Sequence, residues 1–202
     1  MPRSTAFAAT HEELYRARRG HPEVVEVPEA TFLMVDGHGD PNTSDAFSHA
    51  IQSLYTVAYT IKFSLKKATG RNERIPPLEG LWWSAQNDFT IPKDLWSWTL
   101  MIRLPDDLPD GVLDESLASA AAKKPDLPIS DLRVERFSEG SAVQVMHVGP
   151  YGEEEPTIAA LREFIADHGY AMRGKHHEIY LGDPRRSAPE KLRTLLRQPV
   201  AT

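Results

Sequence analysis

An internal repeat constrains this chain more than any single motif. The stretch Val27-Pro-Glu-Ala-Thr-Phe-Leu-Met-Val-Asp-Gly37 returns 110 positions later as Phe137-Ser-Glu-Gly-Ser-Ala-Val-Gln-Val-Met-His147. Each copy sets a Glu beside a small residue at a turn, with an apolar run behind it, and each is followed by a helical pattern and two strand-like segments. A duplicated strand-helix-strand-strand unit predicts an α+β fold in which helices cover one face of an antiparallel sheet. The other face of each half is then free to form a central ligand groove. The expected organisation is an N-terminal extension over residues 1–23 and a single domain over 24–200, with a first half over 24–110 and a second over 125–200.

The local patterns fill in this outline. Residues 24–36 read as strand, turn, strand, broken at Pro28-Glu-Ala30 and closed by Gly37-His-Gly39. A long helix begins at a Thr43 or Ser44 cap with Asp45 in its first turn, and carries Phe47, Ile51, Leu54, Ala58, Ile61 and Leu65 at spacings of three and four. Gly70 ends it, and Lys62, Lys66 and Lys67 suit its negative pole. Residues 78–85 and 95–104 predict an antiparallel hairpin, and residues 112–124 a helix stopped by Pro125. Strands over 132–137 and 142–148, a helix over 154–168 and a strand over 176–181 follow. Ser187 and Glu190 have the spacing of a capping box before a last strand over 194–200. The arginines from Arg185 and Arg186 to Arg197 read as a solvated face.

Composition excludes several functions. The 202 residues contain no cysteine, which removes disulfides, thiolate metal sites and a thiol nucleophile. Twenty-three Lys and Arg against 29 Asp and Glu give a net charge of -6, so no overall positive field draws the chain to nucleic acid. No apolar stretch approaches the roughly 18 residues that cross a bilayer, and residues 1–10 lack the apolar core of a secretory signal. The expectation is a cytoplasmic protein without membrane or nucleic-acid partners. His176 and His177 point to opposite faces of a strand, and neither a His-x-x-x-His pair nor a calcium loop occurs, so no metal is expected. Phosphate-binding glycine loops and a Gly-x-Ser-x-Gly elbow are also missing, which leaves no nucleotide cofactor and no serine nucleophile indicated.

Carboxylates, phenols and indoles remain. On the strand after the second long helix, His176, Glu178 and Tyr180 share one face, and His177, Ile179 and Leu181 the other. If Ile179 and Leu181 pack under the helices, Glu178 and Tyr180 point into the groove. A carboxylate beside a phenol can bind a cation, or take a proton from water while the phenol polarises a carbonyl. The related strand of the first half, Leu78-Glu-Gly-Leu-Trp-Trp83, sets Glu79 at an approximately equivalent place, and two carboxylates facing one groove raise each other's pKa. Trp82 and Trp83 are candidate groove walls or core residues. Tyr55 and Tyr59 lie one turn apart on the long helix, and Tyr151 enters the second. His147 alternates with Val143 and Val145, which suits a hydrogen-bonded interior histidine as well as a ligand contact.

These segments together resemble the GyrI-like small-molecule-binding domains, and in particular the free-standing branch similar to cyclopropanoid cyclopropyl hydrolases. The resemblance rests on Phe32-Leu-Met-Val-Asp-Gly-His-Gly-Asp-Pro-Asn42, Leu54-Tyr-Thr-Val-Ala-Tyr-Thr-Ile-Lys62, Pro77-Leu-Glu-Gly-Leu-Trp-Trp83 and His176-His-Glu-Ile-Tyr-Leu-Gly-Asp-Pro-Arg-Arg186, and runs from about Val24 to Val200. It implies a pair of strand-helix-strand-strand (SHS2) units with a cleft that takes flat, lipophilic compounds over an acidic floor. It further implies a cofactor-independent hydrolase that opens the electrophilic cyclopropane of DNA-alkylating compounds and so detoxifies them. Glu178 is then the expected base, with Glu79 its rival, and Tyr180 the polarising phenol, with Tyr55 behind it; Trp82, Trp83, Tyr55, Tyr59, Tyr151 and His147 hold the ligand. The competing expectation is a binding protein that sequesters cationic drugs or modulates gyrase without catalysis. The roughly twenty residues before Val24 leave no room for a helix-turn-helix, which argues against a regulator.

Overall fold

The structure is a computed structural model that describes residues 13–85 and 91–202. The elements run β1 (Glu23–Val27), β2 (Ala30–His38), α1 (Asp45–Thr69), β3 (Leu78–Trp83), β4 (Ser97–Arg103), α2 (Val112–Lys123), β5 (Arg133–Phe137), β6 (Gly140–Val148), α3 (Glu155–Asp167), β7 (Ala171–Met172), β8 (His176–Tyr180) and β9 (Arg193–Ala201). β1 and β2 recur as β5 and β6 at the 110-residue offset seen in the sequence. The order strand, helix, strand, strand is thus present twice, as β2-α1-β3-β4 and β6-α3-β8-β9.

Contacts divide the chain into two compact units, one formed by Ala30–Phe137 and the other by the segment ending at Glu29 together with Ser138–Thr202. The units differ from the expected halves because the opening strands are exchanged. β1 does not fold back on β2 through Pro28 and Glu29. It pairs antiparallel with β6, Val25 opposite Ala142, while β5 pairs with β2, Leu33 opposite Val134. Each turn therefore carries the chain from one unit to the other.

In the Ala30–Phe137 unit, β4 lies between β2 and β3, with Val35 opposite Leu100 and Gly80 opposite Leu100 on its other side. α1 forms as its sequence predicts. The Ser44 side chain accepts the Phe47 N–H at 3.3 Å, and Gly70 closes the helix at φ 78°, donating its N–H to the Lys66 carbonyl. Ala50, Leu54, Val57, Ala58, Ile61 and Leu65 are its buried stripe. Gly37 sits inside β2 rather than ending it. The Trp98 indole crosses it so closely that an added Cβ would stand 2.0 Å from the ring, so only glycine fits there.

In the second unit β9 lies between β6 and β8, with Val145 opposite Leu196 and Ile179 opposite Leu195. Val143, Val145 and Leu196 meet Leu161 and Ile165 of α3 on one sheet face. Met146, Leu195 and Ile179 form the core of the opposite face, where Tyr15, Ala17 and Leu181 cover them. Ile179 and Leu181 accordingly pack away from the helix, opposite to the condition drawn from the sequence.

One further expectation is corrected, and residues 13–21 pack on the second unit. A short 3-10 turn at Glu13–Tyr15 buries Leu14, the Gln144 amide donates to the Arg16 carbonyl at 2.9 Å, and Arg19 bridges to Met146. Ser187 and Glu190 make no capping box, because the following element is a 3-10 turn, Pro189–Lys191, entered at Ala188 without a side-chain cap. The loop expected over 86–92 falls largely on residues 86–90, and the N-terminal segment over residues 1–10; both lie outside the described residues.

Candidate active site

The face of the second unit that carries α3 also carries the residues with chemistry. Glu178 stands opposite Leu196 and Tyr180 opposite Thr194 in the β8–β9 ladder, so both point to the side on which Leu196 meets α3. The Tyr180 hydroxyl donates to Glu178 Oε2 at 2.8 Å, and His176 Nε2 lies 3.5 Å from Glu178 Oε1. One carboxylate is thereby flanked by a phenol and an imidazole at i+2 and i-2 on one strand. The Tyr151 ring meets Tyr180 edge to face at 5.6 Å and is itself 38% exposed, forming an aromatic wall beside the carboxylate. Glu178 and His176 are mostly buried, with 17% and 10% of their side-chain surface open.

His147 belongs to the same face without contributing a free donor or acceptor. Its Nδ1 lies 3.0 Å from the Thr157 hydroxyl and its Nε2 3.2 Å from the Pro150 carbonyl. A carbonyl only accepts, so Nε2 carries the proton and Nδ1 accepts from Thr157. Both nitrogens are engaged, which is the interior-histidine alternative of the sequence reading; its role is to tie β6 to the start of α3.

Glu79 is not the counterpart of Glu178. In the ladders Leu81 faces Thr99 as Ile179 faces Leu195, so Glu79 corresponds to His177 and Glu178 to Gly80. Glu79 is 1% exposed and stands opposite Met101, on the sheet face where Phe32, Met34 and Leu81 gather. Trp82 is core, packed on Phe47 at 5.8 Å and on Trp96 at 6.1 Å, whereas Trp83 is half-buried at the strand end. Tyr55 and Tyr59 pair at 6.4 Å along α1, and Phe63 continues the row at 6.3 Å from Tyr59. Tyr59 and Phe63 are 48% and 61% exposed, an unusual display for rings of this size. The sequence-derived residues thus fall into two groups: Glu178, Tyr180, Tyr151 and His147 in one unit, and Glu79, Trp82, Trp83, Tyr55 and Tyr59 in the other.

Residues 21–201 match the GyrI-like small molecule binding domain family. The chain belongs to that family. As a GyrI-like domain it is similar to an uncharacterized conserved protein from Listeria innocua, at 43% identity over 95% of this chain and 97% of that one, with a TM-score of 0.87. A structure described as a hydrolase from Listeria innocua is 42% identical over 94% of this chain and 96% of that one, with a TM-score of 0.80. The EcmrR C-terminal domain shares the fold at 15% identity, a TM-score of 0.56, and coverage of 90% of this chain and 98% of that one. No functionally curated protein matches the sequence. Small-molecule binding is thus the family function, and two similar structures are described as hydrolases.

Sequence reasoning missed a buried ionic cluster on the opposite face of this GyrI-like unit. Glu139 Oε2 binds Arg197 Nη1 at 3.0 Å and His177 Nδ1 at 3.0 Å, all three residues being almost fully enclosed. Burial works against ionising Glu139, but the adjacent His177 and Arg197 outweigh it and hold the carboxyl down to about 2. Arg197 also donates to the Gln144 amide oxygen and to the Leu14 carbonyl at 2.6 Å. Arg197 is therefore a core residue, whereas Arg185, Arg186 and Arg193 keep the solvated place expected of this run. The available signal was alternation in β9, where Arg197 lies between Leu196 and Gln198 in a strand with few other charges. Among the described residues no group of His, Asp and Glu is arranged to hold a metal, and no helix is long and apolar enough to cross a membrane.

Proposed function

We propose that this GyrI-like chain binds flat, lipophilic, electrophilic small molecules and hydrolyses them, with Glu178 as the base that activates water. The observation carrying this reading is the carboxylate of Glu178, held by the Tyr180 hydroxyl and His176 beside the Tyr151 ring. The hydrolase name of a similar structure supports the reaction class.

The finer substrate assignment is a cyclopropane conjugated to a dienone, as in DNA-alkylating cyclopropanoids. Glu178 takes a proton as the water oxygen bonds to the least substituted ring carbon. The broken carbon–carbon bond delivers its electron pair into the dienone, the carbonyl becomes a phenolate, and the phenolate takes up a proton, so the product equals substrate plus one water. Tyr180 spends its proton on Glu178, which suits a group orienting the base more directly than one polarising a distant carbonyl. Tyr151 stacks the flat ligand.

A non-catalytic reading has one observation in its favour: a carboxylate beside two phenol rings is also a site for an organic cation. Mass spectrometry separates the two. Incubation with a cyclopropanoid gives a product heavier by one water, and Glu178→Gln lowers the rate by at least about a hundredfold with binding retained. Saturable binding of unchanged compound establishes the sequestering protein instead, and full turnover by Glu178→Gln overturns the assigned base.

A further inference from the structure

The aromatic wall beside Glu178 stands on a short turn that one interior side chain fastens. Tyr151 opens a 3-10 turn, Tyr151–Glu153, between β6 and α3. A 3-10 turn this short has weak internal hydrogen bonding, so its place is set by what holds it from outside. The Pro150 carbonyl closes the turn by accepting the Glu153 N–H at 2.9 Å, and the same carbonyl accepts from His147 Nε2 at 3.2 Å. Both lone pairs of that oxygen are therefore used, one to form the turn and one to fasten it to β6. The Thr157 hydroxyl, 3.0 Å from His147 Nδ1, ties the first turn of α3 to the same imidazole.

The backbone wraps closely around this ring. Gly149 has φ 146°, in the region that favours glycine, and an added Cβ would stand 3.3 Å from His147 Nε2. Its N–H donates to the Leu192 carbonyl at 3.0 Å, and the Pro150 ring fixes φ at -62°. The chain leading into Tyr151 thus has little freedom, and the buried His147 is the side chain it is folded around. Tyr151 lacks such enclosure: it is exposed, and its ring meets Tyr180 edge to face. On an unfastened turn the ring would lose that place to rotation and loop motion, and a ligand stacking on it would have to restore the order at a cost in affinity.

We infer that His147 is a positioning residue for the ligand site: through the Pro150 carbonyl it holds the Tyr151 ring against Tyr180, so that the wall is in place before a flat ligand arrives. The inference rests on the proposed site at Glu178. It concerns binding rather than chemistry, because the Tyr180 hydroxyl reaches Glu178 without the turn.

The test compares the full chain with His147→Ala, His147→Gln and Thr157→Val, each assayed below its melting midpoint. His147→Ala is expected to abolish the nuclear Overhauser contact between the Tyr151 and Tyr180 rings in ligand-free protein, while the methyl signals of Leu161 and Ile165 keep their shifts. With a cyclopropanoid its KM rises about three- to tenfold and kcat stays within about twofold. Gln can return an N–H to the Pro150 carbonyl, so His147→Gln recovers most of the ring contact and of the KM. Thr157→Val removes only the hydroxyl and gives a smaller change of the same kind; it replaces His147→Ala in the comparison if that variant does not fold. An unchanged ring contact and KM in His147→Ala, or in Thr157→Val where it stands in, overturn the inference. So do an equal loss in His147→Gln and a lowered kcat with KM unchanged. If the wild-type chain binds the compound without turning it over, the hydrolytic reading fails, and the dissociation constant replaces KM in the same comparison. A wild type that does not bind it at all overturns both.

Discussion

At the scale of single residues, two positions are fixed by their neighbours more tightly than their chemistry suggests. Gly37 lies beneath the Trp98 ring, where a Cβ would stand 2.0 Å from an atom of a side chain that is 1% exposed and cannot step aside. Gly37→Ala is expected to destabilise the protein by about 1–3 kcal/mol through overpacking, read as a lowered midpoint in urea. Glu139 is the second. Its folded pKa of about 2 lies below the ordinary 4.5, so its ionisation stabilises the fold fully above pH 4.5, and that contribution is lost as pH falls toward 2. Urea midpoints measured between pH 6 and 2 are expected to fall steeply in this window for the wild-type chain. Glu139→Gln starts lower, since His177 and Arg197 lose their counter-charge, and gives a flatter profile there. A wild-type profile no steeper than that of Glu139→Gln rules out this role. Glu178 carries the catalytic proposal at the same scale; alternation in β8 grouped it with His176 and Tyr180 on one face, but that face is the one α3 packs on and not the helix-free face the sequence condition required.

Among elements, α1 was the most readable because its signals are local. Ser44, Asp45, the apolar stripe and Gly70 act within a few residues of one another, and each takes the expected place. Ser44→Ala removes the acceptor for the Phe47 N–H and is expected to cost about 1 kcal/mol, measured by thermal melting against wild type. Strands were harder to read. Their positions followed from β-prone runs, but a strand's partner is a property of distant residues, and nothing near Val24 distinguishes pairing with β2 from pairing with β6. The same limit explains Glu79. Placing it opposite Glu178 by similarity of the two strands missed by one position, and in a strand one position exchanges the two faces.

Across the whole molecule, the exchange of β1 and β5 makes the two units unequal in their dependence on the chain ends. The Ala30–Phe137 unit is continuous, whereas the other needs residues 13–29 to supply an edge strand, the buried Leu14 and Val27, and the carbonyl that Arg197 binds. Truncation of everything before Ala30 is expected to collapse amide-exchange protection in β6, β8 and β9 while α1, β2 and β4 stay protected. Uniform loss across both units would show instead that they do not open separately. The repeat, the alternation of β8, the caps of α1 and the lack of cysteine determined the α+β class, the family resemblance and the short list of residues able to do chemistry, because all are encoded in neighbouring positions. Only the tertiary structure decided which strand pairs with which, that the face bearing Glu178 is the one α3 packs on, and that Arg197 is buried against Glu139. Those outcomes depend on residues tens of positions apart competing for the same space and the same counter-charges, and local pattern carries no record of that competition.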